Sequence, residues 1–538
     1  MASGKLLKLP QNVYKPQLNN VMQDEKVKKN IENVFQRKNK NIDSGTQDII
    51  DCSSFPFPYC VIKDFLCLPT NNDPANEFVA QLRQQLLKLS FTPKSNDLYK
   101  FSQTSELVGK PEDKGETLNP ISNLLPHFTS LLRKKLLPWL REVTSIELND
   151  DVDMFCAQYS DTDYLLCHDD ELEFRRVAYV YYLTPDWSME EGGALQLFDS
   201  KQFENNGTTI YDPTSVVRSI VPTFNSLVLF EVCPTSFHQV QEIVTSSKTR
   251  LSLTGWFHGP TKPRPPRVTD AMPPMNHYLP SNENTPLLPE WLDPSYLNIG
   301  TQATIQEQFT EDSEIQLNNF LLQEKYNALC DAVKFLRNRK ELWETCGPPS
   351  KQFYHKLKIS MNDQPTATNE DPSMTSSMTI VRDIIQLFHS EEMFLFLSNV
   401  TGLSFHPMTI DSDDDDEETN GKRQKLDEGL VPGTYSTCRF EVRRWEKGSY
   451  RLLRDNDYER GEFSLDVNLF LNVGDWCEDN GGCLSYIADN EDEELLTIVP
   501  SSNNLSVAYR DSGAIRFVKY INHLAPHEIY DVSMSYVQ

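Results

Sequence analysis

The sequence lacks several features that would assign it to common protein classes. Its 11 cysteines are scattered, odd in number and never spaced as CxxC, which argues against a disulfide framework or a zinc ribbon. No apolar stretch approaches the length of a membrane span, and the first residues lack the hydrophobic core of a secretory signal. Glycine is scarcer than proline, 21 against 33, which favours ordered turns and stiff connectors. We therefore expect a soluble intracellular protein that does not associate with membranes.

Positive charge is also in short supply. The 51 Lys and Arg residues face 78 Asp and Glu residues, so the net charge is −27. A field of that sign does not attract a nucleic-acid backbone, so we expect no direct nucleic-acid binding and favour a basic partner. Much of the negative charge lies in residues 411–429, which we predict to be a disordered acidic insertion. Residues 1–48 are instead rich in Lys and Asn and are predicted to be a basic, mostly disordered arm.

Helical and strand-like patterns alternate along the chain. The length of 538 residues allows two or three domains. Apolar residues at helical spacing come first, and a long region of short β-branched and aromatic runs follows them. The same order then returns in the second half of the chain. We predict one domain over 49–260 and another over 301–538, joined by a proline-rich linker over 261–300.

Two segments of the chain repeat the same pattern. DWSMEEGGALQLF (Asp186–Phe198) and DWCEDNGGCLSYI (Asp475–Ile487) both place a Gly-Gly pair five residues after the tryptophan. Each segment follows a strand-like run and precedes alternating apolar residues. This shared order predicts an internal duplication.

The stretch LLCHDDELEFRR places one histidine and two aspartates among apolar residues. On a strand, His168 and Asp170 would face one side and Asp169 the other. A histidine and a carboxylate two residues apart can supply two of the three ligands of an Fe(II) facial triad, which leaves positions for substrate and dioxygen. His238, between two β-prone segments, is the predicted third ligand, and His258 is the second choice.

An arginine follows the predicted third ligand. If the cosubstrate is 2-oxoglutarate, its far carboxylate needs a buried cation with planar, paired donors. Arg250 lies twelve residues after His238 and opens the alternating strand RLSLTGWF. Two antiparallel strands joined by a loop would bring both side chains inside one barrel.

The order HxD, distant histidine, arginine resembles the 2-oxoglutarate/Fe(II) dioxygenases. The segments LLCHDDELEFRRVAYVYYLTPDW, LVLFEVCPTSFHQV and RLSLTGWFHGP look similar to the ribosomal prolyl 3-hydroxylases. This resemblance implies an α+β chain with two tandem double-stranded β-helix (jelly-roll) domains, each with flanking helices. Only the first domain would bind metal.

The resemblance also implies roles for individual residues. His168, Asp170 and His238 would bind Fe(II), and Arg250 would bind the far carboxylate of 2-oxoglutarate. Tyr182 would offer its hydroxyl to this cosubstrate, with a purely structural role as a core aromatic equally open. Dioxygen would be the second cosubstrate and ascorbate the reductant. The implied substrate is a proline of a small-subunit ribosomal protein, hydroxylated at C3 with an effect on translation, in the cytoplasm and the nucleus.

The second half lacks these ligands in our alignment. Arg454 and Asn456 stand where the first half has the histidine and aspartate of HxD, and Val518 stands where it has His238. An arginine and a valine cannot hold iron, so we predict a degenerate, non-catalytic barrel. The second barrel could instead serve in packing, homodimer formation or substrate docking.

Two other functions remain open from the residues alone. The chain could be a translation or stress-granule adaptor in which catalysis is secondary, although an intact triad disfavours this. It could also hydroxylate another protein or a nucleic acid. The residues alone do not choose between proline, lysine and asparagine as the target.

Overall fold

A computed structural model describes most of the chain. The described residues are 16–38, 49–69, 73–108, 124–172, 174–205, 208–260, 276–281, 287–359, 372–406, 436–453, 463–488, 491 and 493–537. The chain divides into two compact units, residues 1–268 with 348–350 and residues 269–347 with 351–538. The acidic insertion predicted at 411–429 lies outside the described residues. No helix in the described ranges is both long and apolar enough to cross a membrane.

The first unit combines helices with one large sheet. Its helices are α1 (Glu25–Phe35), α2 (Asn76–Leu86), α3 (Leu125–Leu131) and α4 (Leu137–Thr144), the last two joined by a π-helical turn (Leu132–Leu136). Its strands are β1 (Gln17–Leu18), β2 (Ile50–Ser53), β3 (Tyr59–Ile62), β4 (Leu66–Cys67), β5 (Thr92–Ser95), β6 (Tyr99–Gln103), β7 (Phe155–Tyr159), β8 (Tyr164–His168), β9 (Arg175–Tyr182), β10 (Leu195–Asn205), β11 (Thr208–Ile220), β12 (Ser226–Glu231), β13 (His238–Val240) and β14 (Arg250–His258).

The large antiparallel sheet curls into a barrel. Its order is β11-β10-β13-β8-β6-β7-β14-β9-β12-β3-β2, with β5 added to β6. Side chains alternate between two cores, so that Tyr181 on β9 faces the helices and Tyr182 faces the barrel interior. An ion pair between Arg218 on β11 and Asp51 on β2 joins the two edge strands. The barrel interior therefore lies between two halves of one curled sheet.

Part of the N-terminal arm is folded, which corrects the prediction of disorder over 1–48. Helix α1 begins after Asp24, whose carboxylate accepts hydrogen bonds from the amides of Lys26 and Val27. Val27, Ile31 and Val34 repeat at helical spacing and are buried in the main hydrophobic core. The high lysine content hid this apolar stripe, because the lysines occupy the other face. Residues 1–15 and 39–48 lie outside the described residues.

The second unit begins inside the predicted linker. Tyr278 forms a backbone bridge with Cys438, and Trp291 and Leu292 are buried in the core of the second unit. The interpretation of 261–300 as a free connector is therefore wrong for its C-terminal part. Large apolar side chains among the prolines anchor this segment to the unit that follows it. Residues 261–275 and 282–286 lie outside the described residues.

The second unit repeats the architecture of the first. Its helices are α5 (Leu288–Trp291), α6 (Ile299–Asp312), α7 (Gln323–Leu336), α8 (Pro372–Phe388) and α9 (Glu391–Thr401). Its strands are β15 (Glu314–Asn318), β16 (Trp343–Cys346), β17 (Gln352–Leu357), β18 (Thr437–Trp445), β19 (Tyr450–Arg451), β20 (Ser464–Leu471), β21 (Leu484–Ala488), β22 (Glu494–Ile498), β23 (Asn504–Arg510), β24 (Ala514–Val518) and β25 (Ile529–Val537). They form a sheet of order β15-β23-β20-β25-β18-β17-β19-β24-β21-β22, with β16 added to β17.

The repeated Asp-Trp…Gly-Gly segments form the same turn in both units. The indole Nε1 of Trp187 donates to the carbonyl of Gly192 at 2.9 Å, and Trp476 donates to Gly481 at 2.9 Å. Both glycines have positive φ, +71° and +76°, and a Cβ on either would lie 1.9 Å from a facing carbonyl oxygen. Only glycine fits at both positions. The turn confirms the duplication and the α+β fold of two tandem double-stranded β-helix domains with flanking helices.

A second duplicated feature escaped the sequence comparison. Asn225 bonds both backbone polar groups of Leu66, donating to its carbonyl at 3.0 Å and accepting from its amide at 3.1 Å. Asn503 makes the same two bonds to Leu321, at 2.8 and 3.0 Å. Each asparagine lies just before a strand of its barrel and binds the segment that follows that strand's partner, β3 for β12 and β15 for β23. A lone asparagine in a turn carries no such signal in the sequence.

Candidate metal centre

His168, Asp170 and His238 meet inside the first barrel. His168 ends β8, His238 begins β13, and the two are paired across these strands. His168 Nε2 lies 3.3 Å from Asp170 Oδ1, and His238 Nε2 lies 3.4 Å from Asp170 Oδ2. One ligand atom from each of the three residues lies within 4.8 Å of the others, and no second group of this kind occurs among the described residues. The structure thus brings together all three predicted ligands.

Backbone carbonyls orient both imidazoles. His168 Nδ1 lies 2.8 Å from the carbonyl oxygen of Leu166, and His238 Nδ1 lies 2.7 Å from that of Ser236. A ring nitrogen that faces a carbonyl carries a proton, so Nε2 is the nitrogen with the lone pair in the neutral imidazole. Both Nε2 atoms are therefore available as metal ligands.

Asp170 reaches the cluster by a different route from the one predicted. The strand ends at His168, and Asp170 has φ +60°, in the left-handed region. Strand alternation therefore does not orient this carboxylate. Aspartate is among the few residues that tolerate this conformation. The spacing of HxD identified the right residue, whereas the predicted strand geometry was wrong.

The three groups are electrostatically complementary. Burial disfavours the charged carboxylate, but hydrogen bonds with His168 and His238 outweigh it and hold the pKa of Asp170 well below its usual range. Burial lowers the pKa of His168, whereas Asp170 raises it, and the net shift is upward. A permanent carboxylate between two imidazoles is a set of donors suited to a divalent cation.

Arg250 is buried without a carboxylate partner in the described part of the chain. Its side chain is on β14 inside the barrel, and the residue is 1% exposed. The guanidinium carbon lies 4.9 Å from the ring centre of Tyr159 and 5.1 Å from that of Tyr182. Its one hydrogen bond runs from Nη2 to the Tyr182 hydroxyl at 3.4 Å, and its Nε finds no partner among the described residues. A buried cation of this kind fits an anionic ligand.

His238 and Arg250 face the same interior from different strand sets. β13 pairs with β8 and β10, whereas β14 pairs with β7 and β9. The two residues are therefore not on paired strands, although both lie inside the barrel as expected. The two halves of the sheet bring the metal ligands and the guanidinium into one interior.

Tyr182 and His258 have distinct positions. Tyr182 is buried inside the barrel, where burial raises the pKa of its hydroxyl and Arg250 lowers it in part, leaving a net upward shift. The hydroxyl therefore stays protonated at neutral pH and can donate to an anion. His258, the second choice as a ligand, bonds through Nε2 to Asp153 at 2.9 Å and takes no part in the triad.

The second barrel differs from our alignment at one position. Leu197 pairs with His238 in the first barrel, and Tyr486 at the same place in the repeat pairs with Arg516. Arg516 therefore occupies the position of His238, and the assignment of Val518 was wrong by two residues. An arginine excludes a metal ligand there as firmly as a valine. Arg454 and Asn456, the other two predicted replacements, lie outside the described residues.

Ion pairs fill the interior of the second barrel. Asp466 contacts Arg510 Nε at 3.1 Å through Oδ2 and Arg516 Nη1 at 3.2 Å through Oδ1. Arg443 binds both carboxylate oxygens of Asp531, through Nε at 2.9 Å and through Nη2 at 2.5 Å. All five residues are buried. Here protein charges neutralise one another where the first barrel has its triad.

The predicted cosubstrate residues are also replaced in the second barrel. Phe470 pairs with Asp531 as Tyr182 pairs with Ser252, so Phe470 and Ile529 take the places of Tyr182 and Arg250. Neither replacement offers a polar group to an anion. This barrel lacks the features that make the first one fit iron and a dicarboxylate.

Comparison with known proteins agrees with this division. Residues 154–258 match the family described as 2OG-Fe(II) oxygenase superfamily, and residues 283–538 match the family described as oxoglutarate and iron-dependent oxygenase degradation C-term. The crystal structure of a Pseudomonas putida prolyl-4-hydroxylase aligns with 37% of this chain and 92% of its own, at 19% identity and a TM-score of 0.27.

Two relatives align over most of the chain. The prolyl 3-hydroxylase OGFOD1 of Xenopus laevis is 41% identical over 478 residues, which covers 87% of this chain and 84% of that protein. The prolyl 3-hydroxylase OGFOD1 of Mus musculus is 37% identical over 512 residues, which covers 87% and 85%. The chain therefore belongs to the OGFOD1 family of 2-oxoglutarate- and Fe(II)-dependent dioxygenases.

Proposed function

We propose that the first barrel hydroxylates a prolyl residue of a protein substrate. His168, Asp170 and His238 would hold Fe(II), and Arg250 would bind the far carboxylate of 2-oxoglutarate. The observation that carries the proposal is the buried Arg250 guanidinium, which has no described carboxylate partner and shares its barrel with the triad. A dicarboxylate supplies the missing negative charge.

The side chains of the barrel bind and orient the reactants. With iron and 2-oxoglutarate bound, dioxygen oxidises a substrate C–H bond, and succinate and carbon dioxide are released. The two Nε2 atoms and the Asp170 carboxylate would hold the metal, and three protein ligands would leave it able to bind the cosubstrate. The rings of Tyr159 and Tyr182 flank Arg250 and keep water from the guanidinium, and the Tyr182 hydroxyl donates to the cosubstrate.

The finer proposal concerns the substrate. The names of the relatives, prolyl 3-hydroxylase, support C3 of proline as the target. We propose a small-subunit ribosomal protein as the substrate, with an effect on translation, in the cytoplasm and the nucleus. The net charge of −27 favours encounter with a basic partner of this kind. Ascorbate would keep the iron reduced, and the second barrel would serve in packing, dimerisation or substrate docking.

The test is hydroxylation of ribosomal proteins in vitro. Small-subunit proteins from cells that lack this chain are incubated with the full-length protein, Fe(II), 2-oxoglutarate and ascorbate. We expect mass spectrometry to locate one added oxygen atom on a prolyl residue, together with succinate release, and the H238A protein to give neither. Oxygen on lysine or asparagine, or turnover with alkylated oligonucleotides alone, would contradict the proposed substrate. Tight binding of the same proteins without turnover would favour an adaptor.

A further inference from the structure

A residue outside strand β8 must hold the Asp170 carboxylate in its orientation. Because β8 ends at His168 and Asp170 is left-handed, the backbone leaves the carboxylate without a neighbouring strand residue to hold it. A facial triad requires this group to bind the metal while leaving the remaining positions open. A carboxylate that could turn would also offer both oxygens to the metal and occupy one of those positions.

The indole of Trp256 holds the Asp170 carboxylate. Trp256 lies on β14, six residues after Arg250, and its Nε1 donates to Asp170 Oδ2 at 3.0 Å. The bond spans 86 residues of sequence and joins the strand that carries the guanidinium to the metal ligand. Oδ2 is thereby engaged, and Oδ1 is the oxygen left to the metal.

A second side chain fixes the indole. The guanidinium carbon of Arg175 lies 3.4 Å from the ring centre of Trp256, in a close cation–π contact. Arg175 Nη1 is 3.7 Å from Asp170 Oδ1, so this one cation contacts the ring and lies near the carboxylate. Phe155 meets the indole edge-on at 6.4 Å. The ring is therefore held by contacts with two neighbouring side chains.

The second barrel has a serine at the position of Trp256. Ala178 pairs with Trp256 in the first unit, and Asp466 pairs with Ser535 at the same place in the second. Ser535 donates to Asp466 at 2.8 Å, within the ion-pair cluster of that barrel. An indole in the second barrel, Trp445, donates instead to Asp531 at 3.1 Å, and this carboxylate is bound by Arg443. The bond from an indole to a potential metal ligand is thus specific to the first barrel among the described residues.

We propose that Trp256, braced by Arg175, is a positioning residue that makes Asp170 bind iron through one oxygen. The inference rests on the proposed function and assigns a role to two residues that lie outside the predicted metal triad and the predicted cosubstrate pair. Partners that hold a metal-binding side chain typically change metal affinity about 10- to 100-fold when they are removed. The same strand would then serve both reactants, with Arg250 for 2-oxoglutarate and Trp256 for the iron carboxylate.

The test compares W256F with W187F in the full-length protein. Both changes remove one indole hydrogen bond and keep an aromatic ring, but Trp187 donates to a backbone carbonyl instead of to a metal ligand. We measure the dissociation constants for Fe(II) and Co(II), and the visible absorption of the Co(II) protein, which is stronger at lower coordination number. W256F should weaken metal binding about 10- to 100-fold and reduce the Co(II) absorption as the second oxygen binds. R175Q should shift both in the same direction by a smaller factor.

Two results would overturn the inference. In one, W256F binds both metals as tightly as the unmodified protein with an unchanged Co(II) spectrum. In the other, W256F and W187F lose affinity equally, which would make packing the cause. The proposed function fails separately: it is refuted if the unmodified protein binds no Fe(II) or hydroxylates no prolyl residue, whatever W256F does.

Discussion

The two barrels share a backbone plan and differ in what their interiors hold. The first has three potential metal ligands and a buried guanidinium that no described carboxylate neutralises. In the second, Asp466 and Asp531 pair with buried arginines at the corresponding depth. A buried charge is costly unless it is paired. The first interior therefore keeps a buried positive charge that a bound anion would neutralise, whereas the buried Arg443 and Arg510 in the second are neutralised by aspartates of the protein.

The contrast separates folding from function. Both units keep the Asp-Trp…Gly-Gly turn and the asparagine, Asn225 or Asn503, that binds the backbone of a distant leucine. These two features therefore serve the fold. The triad, Arg250 and Tyr182 have no counterpart among the described residues of the second unit, so the shared fold does not require them. Duplication thus supplies an internal control, because a matched change in the second barrel should leave catalysis untouched.

The largest effect is expected for the third ligand. H238A should abolish Fe(II)-dependent succinate release, a loss of more than about 100-fold, because even removal of a group that only supports a ligand costs up to that factor. Arg516 holds the same position in the second barrel. R516M should keep turnover, since no metal is expected there. An active H238A protein that retains its iron would break the ligand assignment.

The next effect concerns the cosubstrate. R250M should raise the 2-oxoglutarate concentration needed for half-maximal succinate release about 10- to 100-fold, because a hydrogen bond to a charged group contributes about 1.5–3 kcal/mol. The maximal rate should fall less than the apparent affinity. The matched change I529V should leave the requirement unchanged, because an aliphatic side chain stands at this position in the second barrel. An unaltered requirement in R250M would place the cosubstrate elsewhere.

The spacing of the sequence predicted the parts of the site whose chemistry restricts residue type. His168, Asp170, His238 and Arg250 could be predicted because iron and a carboxylate accept few side chains, and the structure places all four inside the first barrel. The left-handed turn at Asp170 was not predicted, because the HxD motif does not distinguish a strand from a turn. Trp256 was not found either, because its partner lies 86 residues away and an indole in an apolar strand looks like core.

The backbone architecture was predicted more completely than the identity of the side chains inside the barrels. Alternating apolar residues and the repeated Gly-Gly pair indicated two barrels, but helix α1 was missed because its three lysines and the polar residues around it made the whole segment look basic. The arginine at the His238 position was misplaced by two residues, since side-chain direction repeats every second residue on a strand and Val518 faces the same side. Only the register of β21 with β24 decides between Val518 and Arg516.

A stability change is expected from the ion pairs of the second barrel. D466N removes the charge that Arg510 and Arg516 share in a fully buried place. Breaking a buried pair on one side costs about 3–5 kcal/mol, so amide hydrogen exchange in β20 and β25 should accelerate strongly. D511N, on the surface of the same unit, should change neither exchange nor turnover. Unchanged exchange in D466N would show that the second barrel does not depend on these pairs.

The smallest expected effect is a loss of stability of the second unit at acidic pH, which is caused by one buried histidine. His389, at the end of α8, is 2% exposed and lies against the rings of Tyr278 and Phe440, at 5.0 and 6.1 Å. Its Nε2 has no hydrogen-bond partner among the described residues, and burial lowers the pKa of its imidazole to about 4. The unfolded chain, with a histidine pKa of about 6.5, binds this proton first as the pH falls.

Stability of the second unit should therefore fall with falling pH between about 6.5 and about 4, because the unfolded state binds more protons in that window. From about pH 7 to about pH 5 the loss from this one group is about 2 kcal/mol. H389F keeps an aromatic ring between aromatic neighbours and removes the titration, so its free energy of unfolding, measured by urea denaturation, should lose about 2 kcal/mol less over the same interval. An identical pH dependence in both proteins would assign the acid sensitivity to other groups and show that His389 binds its proton equally in the folded and unfolded states.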